Sequence, residues 1–224
     1  MKEVISGVFV ESSLPPYNLG LIVTESGGIV VDLPPNPIHA MNWLEQARRT
    51  VGDLRYVVLT DGGRDRQMGT TACDVPLIAA EGTLRALADY DEDRPRRDFM
   101  EALNTRYPEE VGAFESLSPR KPMMAFNEAF VLDAGDRELH FEAVEGAGPG
   151  SLWLYLPEEG LLFTGDTVVS DAVPPMAETP DSKAWLNTMT SLAHRQTVKL
   201  IVPGRGAAPV PRADIEPQRE FMRV

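Results

Sequence analysis

Residues 56–69 read Tyr-Val-Val-Leu-Thr-Asp-Gly-Gly-Arg-Asp-Arg-Gln-Met-Gly. The apolar run at 56–59 has the make-up of a short buried strand. It stops at Thr60 and opens into a Gly-rich loop carrying Asp61, Arg64 and Asp65, before Arg66 begins a short helical segment. A strand end is held rigidly by the sheet while its loop reaches solvent, so this loop is the first candidate site.

Upstream of it, residues 4–10 and 19–23 read as strands separated by the turn-forming Pro15-Pro16, and Gly27-Gly28 makes a hairpin into a strand that ends at Asp32. Asn36 before Pro37 is a helix-start signal, and Ile38, Met41, Leu44 and Ala47 repeat at helical spacing up to Thr50. With the strand at 55–59 this makes a βαβ unit, and a strand at 76–79 and a helix at 81–90 continue the alternation. Residues 91–120 break the pattern with a dense charge run, and we expect a mobile insertion or lid there. Strands follow at 126–132, 139–144, 152–156 and 161–163, then a helix capped by Asp181 and a last buried strand at 199–202. Meander, helix, strand and loop thus occur twice. The economical arrangement is a single α+β domain over 1–224, an αββα sandwich of two mixed β-sheets packed face to face with helices outside.

The composition narrows the function classes. The 224 residues include 43% hydrophobic ones, enough for a sizeable core, and carry a formal charge of −13. A chain this acidic lacks the clustered Lys and Arg that phosphate backbones and anionic membranes need. Arg48-Arg49 and Arg96-Arg97 are flanked by acidic residues and read as solvated surface. The lone cysteine, Cys73, forms no internal disulfide and suits a reducing compartment. With no apolar run near the roughly 20 residues of a membrane span, a cytoplasmic location is the expectation.

The 61–66 loop resembles the His-x-His-x-Asp-His loop of the metallo-β-lactamase-fold hydrolases, which also follows a strand ending in Thr. Four further segments match that family in order: the hairpin at 21–32 ending in Asp, Ala147-Gly148-Pro149-Gly150-Ser151 where the family has His-Thr-Pro-Gly, Leu162-Phe163-Thr164-Gly165-Asp166-Thr167 for its Leu-Phe-Thr-Gly-Asp, and Val202-Pro203-Gly204-Arg205-Gly206 for its Val-Pro-Gly-His-Gly. The glyoxalase II-like branch of small hydrolases is the nearest in flavour. The resemblance implies two metals, usually zinc, with a bridging water as nucleophile. One metal would take His at 61, 63 and 147, where this chain has Asp61, Gly63 and Ala147. The other would take Asp65 with His at 66 and 205, where Arg66 and Arg205 stand; the bridging Asp is present as Asp166.

These replacements alter the chemistry. Gly63 and Ala147 offer no side-chain lone pair, and a guanidinium is a permanent cation with five donors and no acceptor. His39, His140 and His194 lie away from the matched loops. Asp61, Asp65 and Asp166 with Arg66 and Arg205 sum to −3 + 2 = −1, so we expect the two arginines to act as counter-cations, forked onto Asp65 and Asp166. No metal or other cofactor is expected, and zinc least of all. The expected protein is a pseudoenzyme with a degenerate metal site, whose cleft of Asp61, Gly63, Arg64, Asp65, Arg66, Ala147, Asp166 and Arg205 binds a small anionic ligand or serves as a scaffold. Trp185 and Tyr155 are candidates to line or support it.

The alternative is an active hydrolase of esters, thioesters or phosphoesters. It would use Mg²⁺ or Mn²⁺ on Asp61, Asp65 and Asp166, or no metal, with Asp61 and Asp166 as its catalytic groups or Cys73 as nucleophile. A third reading is a subunit of a homo-oligomer or of a complex with a protein partner, contacted through 91–120.

Overall fold

The computed structural model describes residues 1–14, 16–88, 101, 105 and 118–223. Most of the 91–120 segment, and with it the expected lid, lies outside the described residues. The first sheet has seven strands in sequence order, β1 (Lys2–Ile5), β2 (Val8–Glu11), β3 (Leu19–Ile22), β4 (Gly28–Val31), β5 (Leu54–Val58), β6 (Leu77–Ala80) and β7 (Met124–Phe126). The second has six, β8 (Ala129–Asp133), β9 (Glu138–Ala143), β10 (Leu152–Leu156), β11 (Leu161–Val169), β12 (Leu200–Arg205) and β13 (Val210–Pro211), in the order β13-β12-β11-β10-β9-β8. Both sheets are mixed: the pairs from β4 to β7 are parallel, as is β11 with β12, and the rest are antiparallel.

Period-2 alternation sets the layers. Ile22, Ile29, Val31, Val58 and Ile78 face Phe141, Leu152, Leu154, Leu161 and Phe163 across the space between the sheets. Their sequence neighbours Leu21, Val30, Val57 and Leu77 point outward, where Trp43, Leu44, Ala40 and Ala47 of helix α1 (Pro37–Val51) cover them. On the far side, Trp185, Met189 and Leu192 of helix α4 (Ser182–His194) cover Trp153, Tyr155, Leu162 and Ile201. Each large aliphatic or aromatic residue removed from water this way contributes about 1.5–3 kcal/mol. The helix starts follow the caps: Asn36 Oδ1 accepts from Ile38 N at 2.8 Å, and Asp181 Oδ1 from Lys183 N and Ala184 N at 2.9 Å. Helix α3 (Glu81–Ala88) follows β6 directly, helix α5 (Glu216–Phe221) lies near the end of the chain, and among the described helices none is long and apolar enough to cross a membrane.

Two strands expected as single runs are each split in two by a turn. The run at 4–10 is broken at Gly7, which takes φ 71°, a left-handed value that favours glycine. The run at 126–132 turns at Asn127-Glu128, and β7 and β8 on either side belong to different sheets.

Candidate functional site

The cleft lies where the carboxyl ends of neighbouring parallel strands come together, the usual place for a ligand in such sheets. β4 and β5 run parallel, and Asp32 N donates to Val58 O at 2.8 Å, so Asp32 and the 60–63 loop leave the sheet side by side. Opposite them, β11 carries Asp166 beside β12, which ends at Arg205. Backbone bonds tie the two sheets together here: Leu152 N to Thr60 O at 2.8 Å, Gly62 N to Pro149 O at 2.7 Å and Asn18 N to Gly204 O at 2.8 Å. Gly165 sits with φ 53°, and a Cβ there would overlap the Thr60 hydroxyl.

Helix α2 (Arg64–Gly69) delivers the central residue. Successive helical residues do not share a face, so while Arg64 and Asp65 point to solvent, Arg66 turns inward and is fully buried. Its guanidinium reaches three carboxylates. Nε donates to Asp61 Oδ2 at 2.7 Å, Nη2 lies 3.1 Å from Asp166 Oδ1, and Nη1 is in ion-pair contact with Asp32 Oδ2. Asp32 is held in turn by Thr60, whose backbone N–H and hydroxyl donate to it at 2.9 and 2.6 Å. Those bonds sustain a φ of 60° at Asp32, an uncommon value outside glycine. Arg205 forks onto Asp166, with Nη2 at 2.8 Å from Oδ2 and Nε at 3.1 Å from both oxygens. Both guanidinium groups lie over the Tyr17 ring, at 4.0 Å for Arg66 and 4.8 Å for Arg205.

The arrangement corrects one expectation. Asp65 pairs with neither arginine among the described contacts; it is exposed, 3.5 Å from the Tyr17 hydroxyl. Asp32 takes the place assigned to it, because Arg66 reaches back under the sheet edge rather than along its own helix. The paired set is therefore the buried Asp32, Asp61, Asp166 and Arg66 with the partly exposed Arg205, which sum to −3 + 2 = −1.

Titration directions follow from this surplus. Burial lifts the Asp61 carboxyl to about 6, against the pull of Arg66 and with a further push from Asp166 and Asp32. Burial also raises Asp32, opposed by Arg66 and by the bonds from Thr60. For Arg66, burial works against the charge, but the three carboxylates outweigh it and raise its pKa further, so it stays a cation. Burial raises Tyr17 well above the ordinary phenol value and keeps it neutral.

Above this cluster is a cavity of about 190 Å³. Asp61, Gly63, Arg64, Asp65, Ala147, Asp166 and Arg205 line it, while Arg66 forms the layer beneath. Tyr17, Gly148, Pro175, Ala177 and Glu178 also contribute, and none of these was singled out from sequence. Trp185 is fully buried behind β11 and donates from Nε1 to Thr167 O at 2.9 Å, so it supports the strand rather than lining the cleft. Tyr155 lies on the outer face of the second sheet under the Arg195 guanidinium, and its hydroxyl donates to Thr197 O at 3.0 Å. Cys73 is buried with its thiol toward Val75 O at 3.4 Å, and burial raises its pKa. None of the three histidines lines the cavity.

Two helix-flanked mixed sheets with a charged cleft at the strand ends define the class: an αββα sandwich of the metallo-β-lactamase type. The chain belongs to the metallo-beta-lactamase superfamily, whose family model matches residues 73–219, beginning after the 61–66 loop. It is similar over 99% of its length to a metallo-beta-lactamase from Pontibacter korlensis, at 17% identity, a TM-score of 0.76 and 97% coverage of that chain. A metallo-beta-lactamase family protein from Thermus thermophilus is similar over the same share, at 18% identity and a TM-score of 0.72, with 81% of that chain covered. The sec-alkylsulfatase Pisa1 from Pseudomonas sp. aligns over 99% of this chain and 41% of its own, at 18% identity and a TM-score of 0.74. No curated protein matches. At these identities the likeness concerns the fold.

The family's metals do not fit the residues present. Gly63 and Ala147 carry no donor, and Arg66 fills the space between Asp61 and Asp166. Among the described residues, no group of three or more His, Cys, Asp or Glu is placed to hold a metal ion.

Proposed function

We propose that this protein is a non-hydrolytic member of its superfamily, a binding protein built on a hydrolase fold. The observation that carries the reading is the position of Arg66, whose buried guanidinium contacts Asp32, Asp61 and Asp166 together. A metallohydrolase activates water by lowering its pKa from 15.7 to about 7 on a Lewis acid. A guanidinium has no site at which to coordinate water, and here each of its nitrogens lies within ion-pair distance of a carboxylate.

The ligand is small, on the scale of the 190 Å³ cavity. Arg205 spends Nε and Nη2 on Asp166; its Nη1 is suited to a carboxylate or another small anion. Asp65 and Glu178 in the same lining repel a simple anion. The ligand class that suits both signs is a small carboxylate that also carries an amine or another hydrogen-bond donor. Hydrolysis with Mg²⁺ or Mn²⁺ on Asp61, Asp65 and Asp166 finds no support, because Arg66 stands between the first and third and Asp65 turns toward Tyr17.

The test is metal analysis of the purified protein, followed by an ester, thioester and phosphoester screen with and without added zinc, magnesium or manganese. The reading expects no stoichiometric metal and no turnover. Turnover that disappears in Asp166→Ala would defeat it.

A further inference from the structure

The misfit between the family's metals and this cleft has a structural counterpart, since the carboxylates that surround Arg66 come from both sheets. Asp32 follows β4 and Asp61 follows β5 in the first sheet, while Asp166 lies within β11 of the second. Each contributes an oxygen to a different nitrogen of one guanidinium: Asp32 to Nη1, Asp61 to Nε and Asp166 to Nη2. The Tyr17 ring closes one face of the guanidinium at 4.0 Å. A three-carboxylate cage that excludes water is costly unless a cation fills it.

We infer that Arg66 is a tethered cation that ties the cleft ends of the two sheets together, doing by a covalently attached side chain what a bound metal does for a relative, and shutting the cage to free cations. This deepens the non-hydrolytic reading and rests on it only for the assignment of the cleft. Three consequences follow from the geometry. The fold needs no metal for its stability. Removing the guanidinium leaves a cage of matching shape and charge. That cage accepts a free cation of the same kind, a guanidinium or alkylguanidinium ion, because a flat cation with one nitrogen facing each of the three carboxylates fits the space that they enclose.

The experiment compares the melting of the full chain and of Arg66→Ala. The wild-type melting temperature should be unchanged by a chelator and by zinc or magnesium in excess. Arg66→Ala should melt lower by roughly 6–20 °C, and low-millimolar methylguanidinium should restore part of that loss saturably in the variant and not in the wild type, with urea and sodium chloride at equal concentration as controls. Zinc binding stoichiometrically to the wild type and raising its melting temperature would overturn the inference, and this measurement stands even if Arg66→Ala fails to fold. So would an Arg66→Ala protein as stable as the wild type, or one that methylguanidinium leaves unmoved. Hydrolytic turnover by a wild type that binds no zinc would defeat the non-hydrolytic reading while leaving the tether intact; loss of the tether with no turnover would do the reverse.

Discussion

The surplus negative charge of the buried cluster makes a prediction that runs against the usual acid sensitivity of proteins. Asp61 has a folded-state pKa of about 6 against 3.8 for the free side chain, because burial disfavours its charge more than Arg66 favours it. The folded state therefore binds more protons than the unfolded state between these values, and stability rises as the pH falls through that window. For a group lifted from 3.8 to about 6, acidification from about pH 7.5 to about pH 5 should add on the order of 1 kcal/mol. Asp32, raised for the same reason, adds in the same direction.

Asp61→Asn isolates the effect. The amide cannot titrate, though it costs something at every pH, since one of its atoms must replace the oxygen that accepts from Arg66 Nε at 2.7 Å. The informative quantity is thus the slope, not the offset. Urea unfolding of both proteins at the two pH values should show the wild type gaining on the order of 1 kcal/mol over the variant on acidification. Background carboxylates such as Asp74, held low by its bond to Arg48, pull the other way in both proteins and cancel in the comparison. Parallel pH profiles, or a wild type that loses ground to the variant in acid, would refute the charge count on which the site is built.

Three further outcomes follow from the same contacts. Arg205→Ala should lower stability by only about 1–2 kcal/mol, because its side chain is 27% exposed and Asp166 keeps Arg66 as a partner, and calorimetry of the variant should show a weakened affinity for small carboxylates. Gly165→Ala puts a methyl group onto the Thr60 hydroxyl at a backbone φ of 53°, disturbing the residue that anchors Asp32; a loss of about 2–4 kcal/mol by urea titration is expected. Tyr17→Phe keeps the ring under both arginines and gives up only a 3.5 Å contact with Asp65, so it should melt close to the wild type, whereas Tyr17→Leu should cost about 1–2 kcal/mol.

The sandwich was legible in the chain because its signals are local. Apolar runs at 19–23, 29–31, 152–156 and 161–163 between Gly and Pro turns mark buried strands, and the caps at Asn36 and Asp181 mark helix starts, before any tertiary contact is known. The wiring of the cleft was not legible, and the expected charge sum equals the observed one only because Asp32 stands in for Asp65. Asp65 and Arg66 are adjacent in sequence and so invite pairing, yet on a helix they point apart, and only the burial of Arg66 decides which carboxylates it meets. Asp32 lies 28 residues from Thr60 along the chain, and its role appears only once β4 and β5 stand side by side. A partial signal was present, a lone Asp ending the apolar run Gly28–Val31. Tyr17 and Glu178 carried none, since neither belongs to a matched segment.

Charge balance leaves the carboxylates of the cleft in excess of the cations paired with them. Two dications would offset the carboxylates in excess, whereas two guanidinium groups leave one negative charge over. Among the described ion pairs, no third cation reaches these carboxylates. The nearest counter-ion left is a proton, and of the two carboxyls that burial raises, Asp32 and Asp61, it is Asp61 that lines the cavity, where a proton can arrive. The same group would therefore accept a hydrogen bond from a ligand at high pH and donate one at low pH. A ligand amine should bind the cleft more tightly above about pH 6, and one offering only acceptors should show the opposite trend.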